Sequence, residues 1–518
     1  MKRIYRYIPF LIIFINIGFR IWFIFYGYIA SEEGFLINEQ KLAFRGMLPF
    51  VHYNGWDSLT NNYIVGFYSL FIKQTIITQR LFGLILSVAV LLLVIVCSRN
   101  IYRRTSVTLV AFLLTFGSFT YLYLSNLPYS SQTMSASLMI AITILSTTIK
   151  KASLRRSVAA LFFAVLAFTI RSQAIPAAFV FWLCTVFPYR KKFINVFLLT
   201  SITIFFTLTI YWPFMRASFG NFLYYFWWPL QADKILVYQY YNSALKYTDI
   251  IRYTLDVFRD YGVVFALLIG IIFSNFHLLK KHSLTRPQNF RNLLLLCILL
   301  VALTLTATSF LHKPPYASYI YPAFPMYVVF IAILISRMFA LLKQKGLHQI
   351  NNFIWGILLF LFLSNIVLYP HVDHIKTSLA SASTTPYSEL MKISNYIESK
   401  TSAGSEILAF YLPAVTELNR EVPMNLNQGE VSISLLSDEE SNRYHLANTS
   451  MLRAYIRSKK AEAIVFNNRT PNSFAITTSD RELVLKDLQE NYFLDKEFNN
   501  FHMIGNPKVT TLYIYLRK

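Results

Sequence analysis

The chain has 518 residues, of which 55% are hydrophobic, 17% aromatic and only 14% charged, with a formal net charge of +23. Soluble proteins carry roughly a quarter charged residues, so this composition excludes an ordinary soluble protein; the apolar residues fall instead in repeated runs long enough to cross a bilayer. Nor does the charge signify nucleic acid: residues 371–518 hold 17 acidic and 16 basic residues, which leaves 8 acidic and 32 basic residues before them, the basic ones clustered in short loops.

The first apolar run follows Lys2, Arg3 and Arg6 as a signal peptide would, but it is too long and lacks a small-residue cleavage site before Glu32. It reads as a retained first helix. Eleven spans are predicted, at roughly 8–28, 78–98, 107–124, 133–149, 157–170, 173–187, 193–213, 262–279, 293–311, 319–338 and 352–370. The fifth and sixth are short and form a hairpin. Alternate linkers carry the Lys and Arg: Arg99/Arg103/Arg104, Lys150/Lys151/Arg155/Arg156, Arg190/Lys191/Lys192, Lys280/Lys281/Arg286/Arg291 and Arg337/Lys343/Lys345. The basic loops belong on the cytoplasmic side. The N-terminus is then inside and the tail outside. All eight acidic residues before position 371 (Glu32, Glu33, Glu39, Asp57, Asp233, Asp249, Asp256 and Asp260) fall on the outer side. Carboxylate chemistry is expected there.

Two long outer segments, 29–77 and 214–261, precede the tail. Residues 62–76 are apolar but too short and interrupted to span, and suit a helix lying in the interface. Phe222–Pro229, rich in Tyr and Trp, is similar. Simple anchoring explains both as well as a functional role does. The predicted division is a membrane domain over 1–370 and an α/β domain over 371–518. Helices are expected over Pro386–Lys400, Ser450–Lys460 and Asp480–Asn491, and strands over Glu406–Tyr411 and Ala463–Phe466 and near Phe493 and Thr510–Leu516. The tail shows no phosphate-binding loop and no Ser/His/Asp motif. Cys97, Cys184 and Cys297 lie in apolar runs and lack metal or disulfide spacing.

A carboxylate at the outer end of the first helix can serve as a general base or position a metal; a solvated helix end is the plainer account of Glu32-Glu33. The wider pattern is Glu32-Glu33-Gly34, Ala43, Arg45-Gly46, Pro49-Phe50 and Asp57, with Arg80 opening the second span. It resembles the first outer loop of the GT-C glycosyltransferases, in the branch of the protein O-mannosyltransferases, the lipid A aminoarabinose transferases and the Rgt-type sugar transferases. Ala167-Phe-Thr-Ile-Arg171-Ser-Gln173 and Ser318-Tyr-Ile-Tyr321-Pro322-Ala-Phe-Pro325 continue the likeness. Two departures stand out: Glu32 replaces the commoner Asp, and Ser125–Thr133 has no carboxylate where many relatives place one.

The resemblance implies an α-helical polytopic membrane protein of GT-C type, with about 11 transmembrane helices and a small C-terminal extracytoplasmic α/β domain, in an inner or plasma membrane. It implies a glycosyltransferase that moves a sugar from a polyprenyl-phosphate-linked donor, with inversion, to a glycolipid, surface polysaccharide or protein. The expected catalytic residues are Glu32 and Glu33, one the base and the other orienting it. Donor-phosphate candidates are Arg171, Lys73, His312 and Lys313; substrate-contact candidates are Asp57, Tyr316, Tyr319 and Tyr321. For each of these cations and tyrosines an ordinary interfacial residue is the alternative. No cofactor and no metal ligand set is assigned, and a divalent metal is left open. Expected partners are the lipid-linked donor, membrane lipids and the acceptor, with no nucleic acid. The rival functions are a lipid or polysaccharide transporter or flippase, and a noncatalytic membrane scaffold.

Overall fold

The computed structural model describes residues 8–116 apart from 28, 56 and 57; 130–148; 153–223, 226, 234 and 235; 286–310; 317–356 apart from 345, 348, 350, 351 and 353; and 385–518 apart from 476, 500 and 502–509. The span expected at 262–279, nearly all of that at 352–370, most of the segment 214–261 and the boundary at 370/371 lie outside these residues.

Long apolar runs give the helices of the bundle: α1 (Ile8–Tyr26), α4 (Ile76–Ile101), α5 (Thr105–Phe116), α6 (Ser130–Ser146), α7 (Leu154–Ile170), α8 (Ile175–Val186), α9 (Phe193–Ala217), α10 (Arg286–Ser309) and α11 (Phe324–Gln344). Between α1 and α4 stand α2 (Ser31–Phe44) and the short α3 (Asn61–Gly66). Among the described residues, five helical stretches are long and apolar enough to cross a bilayer: 76–101, 172–189, 193–217, 291–309 and 320–344. The protein is an integral membrane protein.

Helix α11 occupies the centre, against α4, α5 and α10, and every residue from Phe324 to Ser336 is buried. Helix α9 is its opposite: apolar throughout, yet only 6% of its most hydrophobic window is buried. A helix that is greasy on all sides and uncovered by protein is covered by lipid.

The interfacial helix expected over 62–76 is not continuous. It consists of α3, a 3-10 turn over Phe67–Leu70, and extended chain to Thr75, whose side chain caps α4. Gly66 ends α3 against the Phe44 ring, where a Cβ would lie 2.6 Å from it. Phe67, Leu70, Phe71 and Ile72 are all exposed, as an interface anchor requires.

The tail folds as predicted from its periodicity. Helix α12 (Pro386–Lys400) is capped by Thr385 and buries Leu390, Ile393 and Ile397. The strands β1 (Ile407–Ala409), β2 (Ala463–Asn467), β3 (Tyr492–Asn499) and β4 (Thr511–Arg517) form one sheet in the order β1-β2-β4-β3. The first pair is parallel and the other two antiparallel. Helices α13 (Asp438–Arg443), α14 (Thr449–Arg457) and α15 (Thr478–Asn491) complete the α/β unit. Leu408, Ile464 and Phe466 form one core with α14 and α15, while Ile407, Ala409 and Val465 join a second core with α12. That second core also takes in Ile29, Phe35, Leu36 and Ile37, so α2 belongs to the tail's hydrophobic core as much as to the bundle.

Candidate active site

Helix α2 begins four residues after Gly27, and its first turn holds Glu32 and Glu33, where the positive end of the helix dipole favours carboxylates. Consecutive helical residues point about 100° apart, and these two meet different surroundings. Glu33 is 1% exposed. It accepts the Ala30 N–H at 3.0 Å and takes a two-point bond from Arg80, Nε to Oε2 at 2.7 Å and Nη2 to Oε1 at 2.8 Å. The third arm of that guanidinium, Nη1, donates to the carbonyls of Phe23, Ile24 and Gly27 at 3.2, 2.9 and 3.1 Å. Arg80 therefore caps the end of α1 and fixes the start of α2 at once. A forked cation suits this; a lysine does not have the geometry.

Glu32 is exposed. Protein nevertheless surrounds it, and the loss of water, with the neighbouring Glu33 charge adding to it, raises its pKa, while a backbone hydrogen bond opposes the rise. Exposed yet partly desolvated, it stands in the first turn of α2, which meets the tail domain at Tyr411 and Pro413. Tyr411 of the tail donates from its hydroxyl to the Ile29 carbonyl at 3.0 Å, directly before α2. Burial first, then the charge of Glu33, pushes that phenol up.

The rest of α2 is clamped to the tail. Gly34 lies so close that a Cβ would stand 2.4 Å from the Pro413 nitrogen. Asn38 Nδ2 donates to the Asn427 carbonyl at 3.0 Å. The buried Glu39 accepts from Asn62 Nδ2 at 2.8 Å and Gln428 Nε2 at 2.5 Å. Lys41 donates to the Thr416 carbonyl, and its pKa is lowered to about 8 by burial and by Arg45 beside it.

Arg171 ends α7 and is 3% exposed; its Nη1 donates to Ser131 Oγ at 2.5 Å. From the next residue of α6, Gln132 Nε2 donates to the Gly83 carbonyl of α4 at 2.9 Å, one turn beyond Arg80. Arg171 thus belongs to the same end of the bundle as the acidic pair. Tyr321 is buried within the turn Ala317–Ala323, which packs on α6. Lys73 is exposed on the extended chain before α4 rather than on a helix. Tyr319 belongs to the same turn as Tyr321. Asp57, His312, Lys313 and Tyr316 lie outside the described residues.

Two solved structures share this architecture along almost the whole chain. ArnT from Cupriavidus metallidurans bound to undecaprenyl phosphate superposes with a TM-score of 0.55 at 10% identity, over 99% of this chain and 97% of that one. The apo state of the same protein gives 0.56 at 11% identity, over 98% and 97%. The chain has the GT-C fold. No family model and no curated protein matches its sequence. Two residues beside the candidate site were missed in the sequence. Arg80 appeared there only as the residue opening a span, and Lys41 not at all. Arg80 had one legible signal: an arginine entering a 26-residue apolar helix needs a partner.

Proposed function

We propose that this protein is a polyprenyl-phosphate-dependent glycosyltransferase, in which Glu32 is the general base and Glu33 the residue that positions it. The observation carrying this reading is the division of labour in the first turn of α2. Glu33 is held by Arg80, whereas Glu32 is exposed and has a raised pKa. Support for the lipid-linked donor comes from the fold shared with a protein solved with undecaprenyl phosphate. Within GT-C, the acidic pair, Gly46 and Pro49 favour the aminoarabinose and O-mannosyltransferase branch.

In this reading the acceptor hydroxyl gives its proton to Glu32 as its oxygen bonds to the anomeric carbon. The bond from that carbon to the phosphate oxygen breaks, and its electron pair leaves with the polyprenyl phosphate. One displacement inverts the anomeric centre. Arg171 is the foremost candidate to meet the leaving phosphate, with Lys73, His312 and Lys313 as further cations and Asp57, Tyr316, Tyr319 and Tyr321 as substrate contacts. The basic loops place the N-terminus in the cytoplasm and the tail domain outside, where a lipid-linked sugar is available and a nucleotide sugar is not. The acceptor is a glycolipid, a surface polysaccharide or a protein.

The test begins with a deletion strain, whose accumulated polyprenyl-linked sugar identifies the donor. Lipid extract of that strain, with its membranes as acceptor, then assays purified variants. Glu32→Gln is expected to lower transfer about 10²- to 10⁴-fold, the range for loss of a general base, with protein yield unchanged. Wild-type transfer by Glu32→Gln would discard the assignment, and undiminished lipid flipping by it would favour a transporter. Because deprotonated Glu32 is the active form, transfer should fall as pH drops through its raised pKa.

A further inference from the structure

Cys184 and Cys297 lack disulfide spacing in the sequence, but the fold brings them together. Helices α8 and α10 pack side by side, and just before α8 the Gln173 Nε2 donates to the Leu305 carbonyl of α10 at 3.4 Å. Farther along the same two helices the Cys184 and Cys297 side chains are hydrogen-bonded to each other. Going forward from Gln173 to Cys184 matches going back from Leu305 to Cys297, as an antiparallel pair requires. Both thiols are free, and both line one cavity with Thr148, Ser157, Thr185 and Tyr189. Its volume is about 10 Å³, room for about one water molecule. That is too small for a ligand, and it gives a sulfur space to turn toward its neighbour.

Access to the pair is one-sided. Cys297 is fully buried in the bundle core, whereas Cys184 is half-buried. Cys184 stands beside an exposed stripe made by Phe179 and Leu183 on α8 and Phe187 just past its end, at four-residue spacing. All three belong to a stretch, 172–189, that is long and apolar enough to cross a bilayer, so the stripe faces lipid. A lipid-soluble reagent reaches Cys184 along that stripe; a charged, water-soluble one has to cross apolar surroundings. Cys97 on α4 is the contrast. It is fully buried, and its hydrogen-bond partner is the Ser146 hydroxyl and not a thiol.

We propose that Cys184 and Cys297 are a redox pair, which a lipid-soluble quinone oxidises to a disulfide that staples α8 to α10. The two S–H bonds break and one S–S bond forms between the sulfurs. The two electrons and two protons released pass to the quinone, which becomes a hydroquinone. A thiol reductant reverses the step by exchange at the disulfide. The bond joins two helices far apart in the chain, so it restricts the unfolded chain more than the folded one and stabilises the bundle. It also holds α8, whose start lies just after Arg171, against α10. Nothing in this step requires that the protein be a transferase.

The experiment treats the full-length protein in its membranes with a decyl benzoquinone whose ring is fully substituted, so that it oxidises thiols without adding to them. The protein is then unfolded in detergent and labelled with a maleimide-polyethylene glycol, one added mass per free thiol. Untreated protein should take three labels and quinone-treated protein one, on Cys97, with reduction before labelling restoring all three. Oxidised glutathione, charged and water-soluble, should act at least about tenfold more slowly. Cys184→Ser and Cys297→Ser should each keep two labels after quinone treatment. If these variants fail to fold, peptide mapping of the oxidised wild type answers instead, through a linked pair of peptides holding residues 184 and 297. Heat unfolding in detergent should shift upward by a few degrees on oxidation and return on reduction. Three labels on the quinone-treated wild type, a label lost from either serine variant, equal rates with the two oxidants, a linked peptide pair that includes Cys97, or an unfolding midpoint that fails to rise would each overturn the proposal.

Discussion

The middle of the bundle and its tail-facing end are built from different material. Around α11 the middle is almost wholly apolar, from Val90 and Val94 on α4 to Ile298, Val301 and Leu305 on α10. Such a core in lipid is held by close packing, and no single contact dominates it. The tail-facing end buries Arg80, Glu33, Glu39, Gln40, Asn61, Asn62, Arg171 and Gln428. Burying charge is expensive even when it is paired, and an apolar plug of the same volume is often the more stable solution. A chain that could have continued its apolar packing and instead placed two carboxylates and two guanidiniums there is specifying geometry. The stability of the middle should therefore be spread widely, and that of the end concentrated in a few bonds.

The strongest way to break this contrast is Arg80→Met. It leaves Glu33 buried without its cation and frees three carbonyls at the end of α1. The expected loss is about 3–5 kcal/mol, measured as thermal unfolding in detergent. Pairing it with Glu33→Leu should recover much of that loss, because no unpaired charge then remains. If the double variant is worse than Arg80→Met alone, the pair is not the unit proposed.

Gly34→Ala comes next. The added methyl would overlap the Pro413 backbone, which has no flexible side-chain end to swing aside. A loss of about 1–3 kcal/mol is expected, the usual range for overpacking. It should appear as earlier proteolytic release of the tail, with the bundle's own unfolding unchanged. Unaltered proteolysis would mean that α2 and the tail do not dock as tightly as their contact implies.

The spans that fall among the described residues were legible because an apolar run of about 20 residues says the same thing wherever it occurs. The tail helix Pro386–Lys400 was legible too, with Pro at its start and Leu390, Ile393 and Ile397 at helical spacing. The site was legible only as far as a short stretch could carry it. Glu32 and Glu33 are adjacent in sequence, yet which one is held was decided by Arg80, 47 positions away. What engages the buried Glu39 was no more legible, since Gln428 donates to it from 389 positions away. The helix expected at 62–76 gives way to a 3-10 turn at Phe67 and to non-helical chain before Thr75, which periodicity does not register.

The smallest predicted effect is also the sharpest control. Arg45 and Glu421 form an ion pair across the same interface, 3.6 Å apart, but their side chains are 54% and 61% exposed. Water screens such a pair, and holding two long side chains together offsets most of the attraction, so exposed pairs contribute about 0–1 kcal/mol. Glu421→Ala also leaves intact the two backbone bonds that tie this residue to Ser405 and Ile407. Release of the tail by limited proteolysis should therefore proceed within about twofold of wild type, a change smaller than about 0.5 kcal/mol. The same truncation at Gln428 removes one of the two side-chain donors to the buried Glu39 carboxylate and should cost more, about 1–3 kcal/mol. If the two variants release the tail equally fast, docking depends on charge count across the interface and not on the buried bonds around α2, and the distinction between the middle of the bundle and its tail-facing end loses its basis.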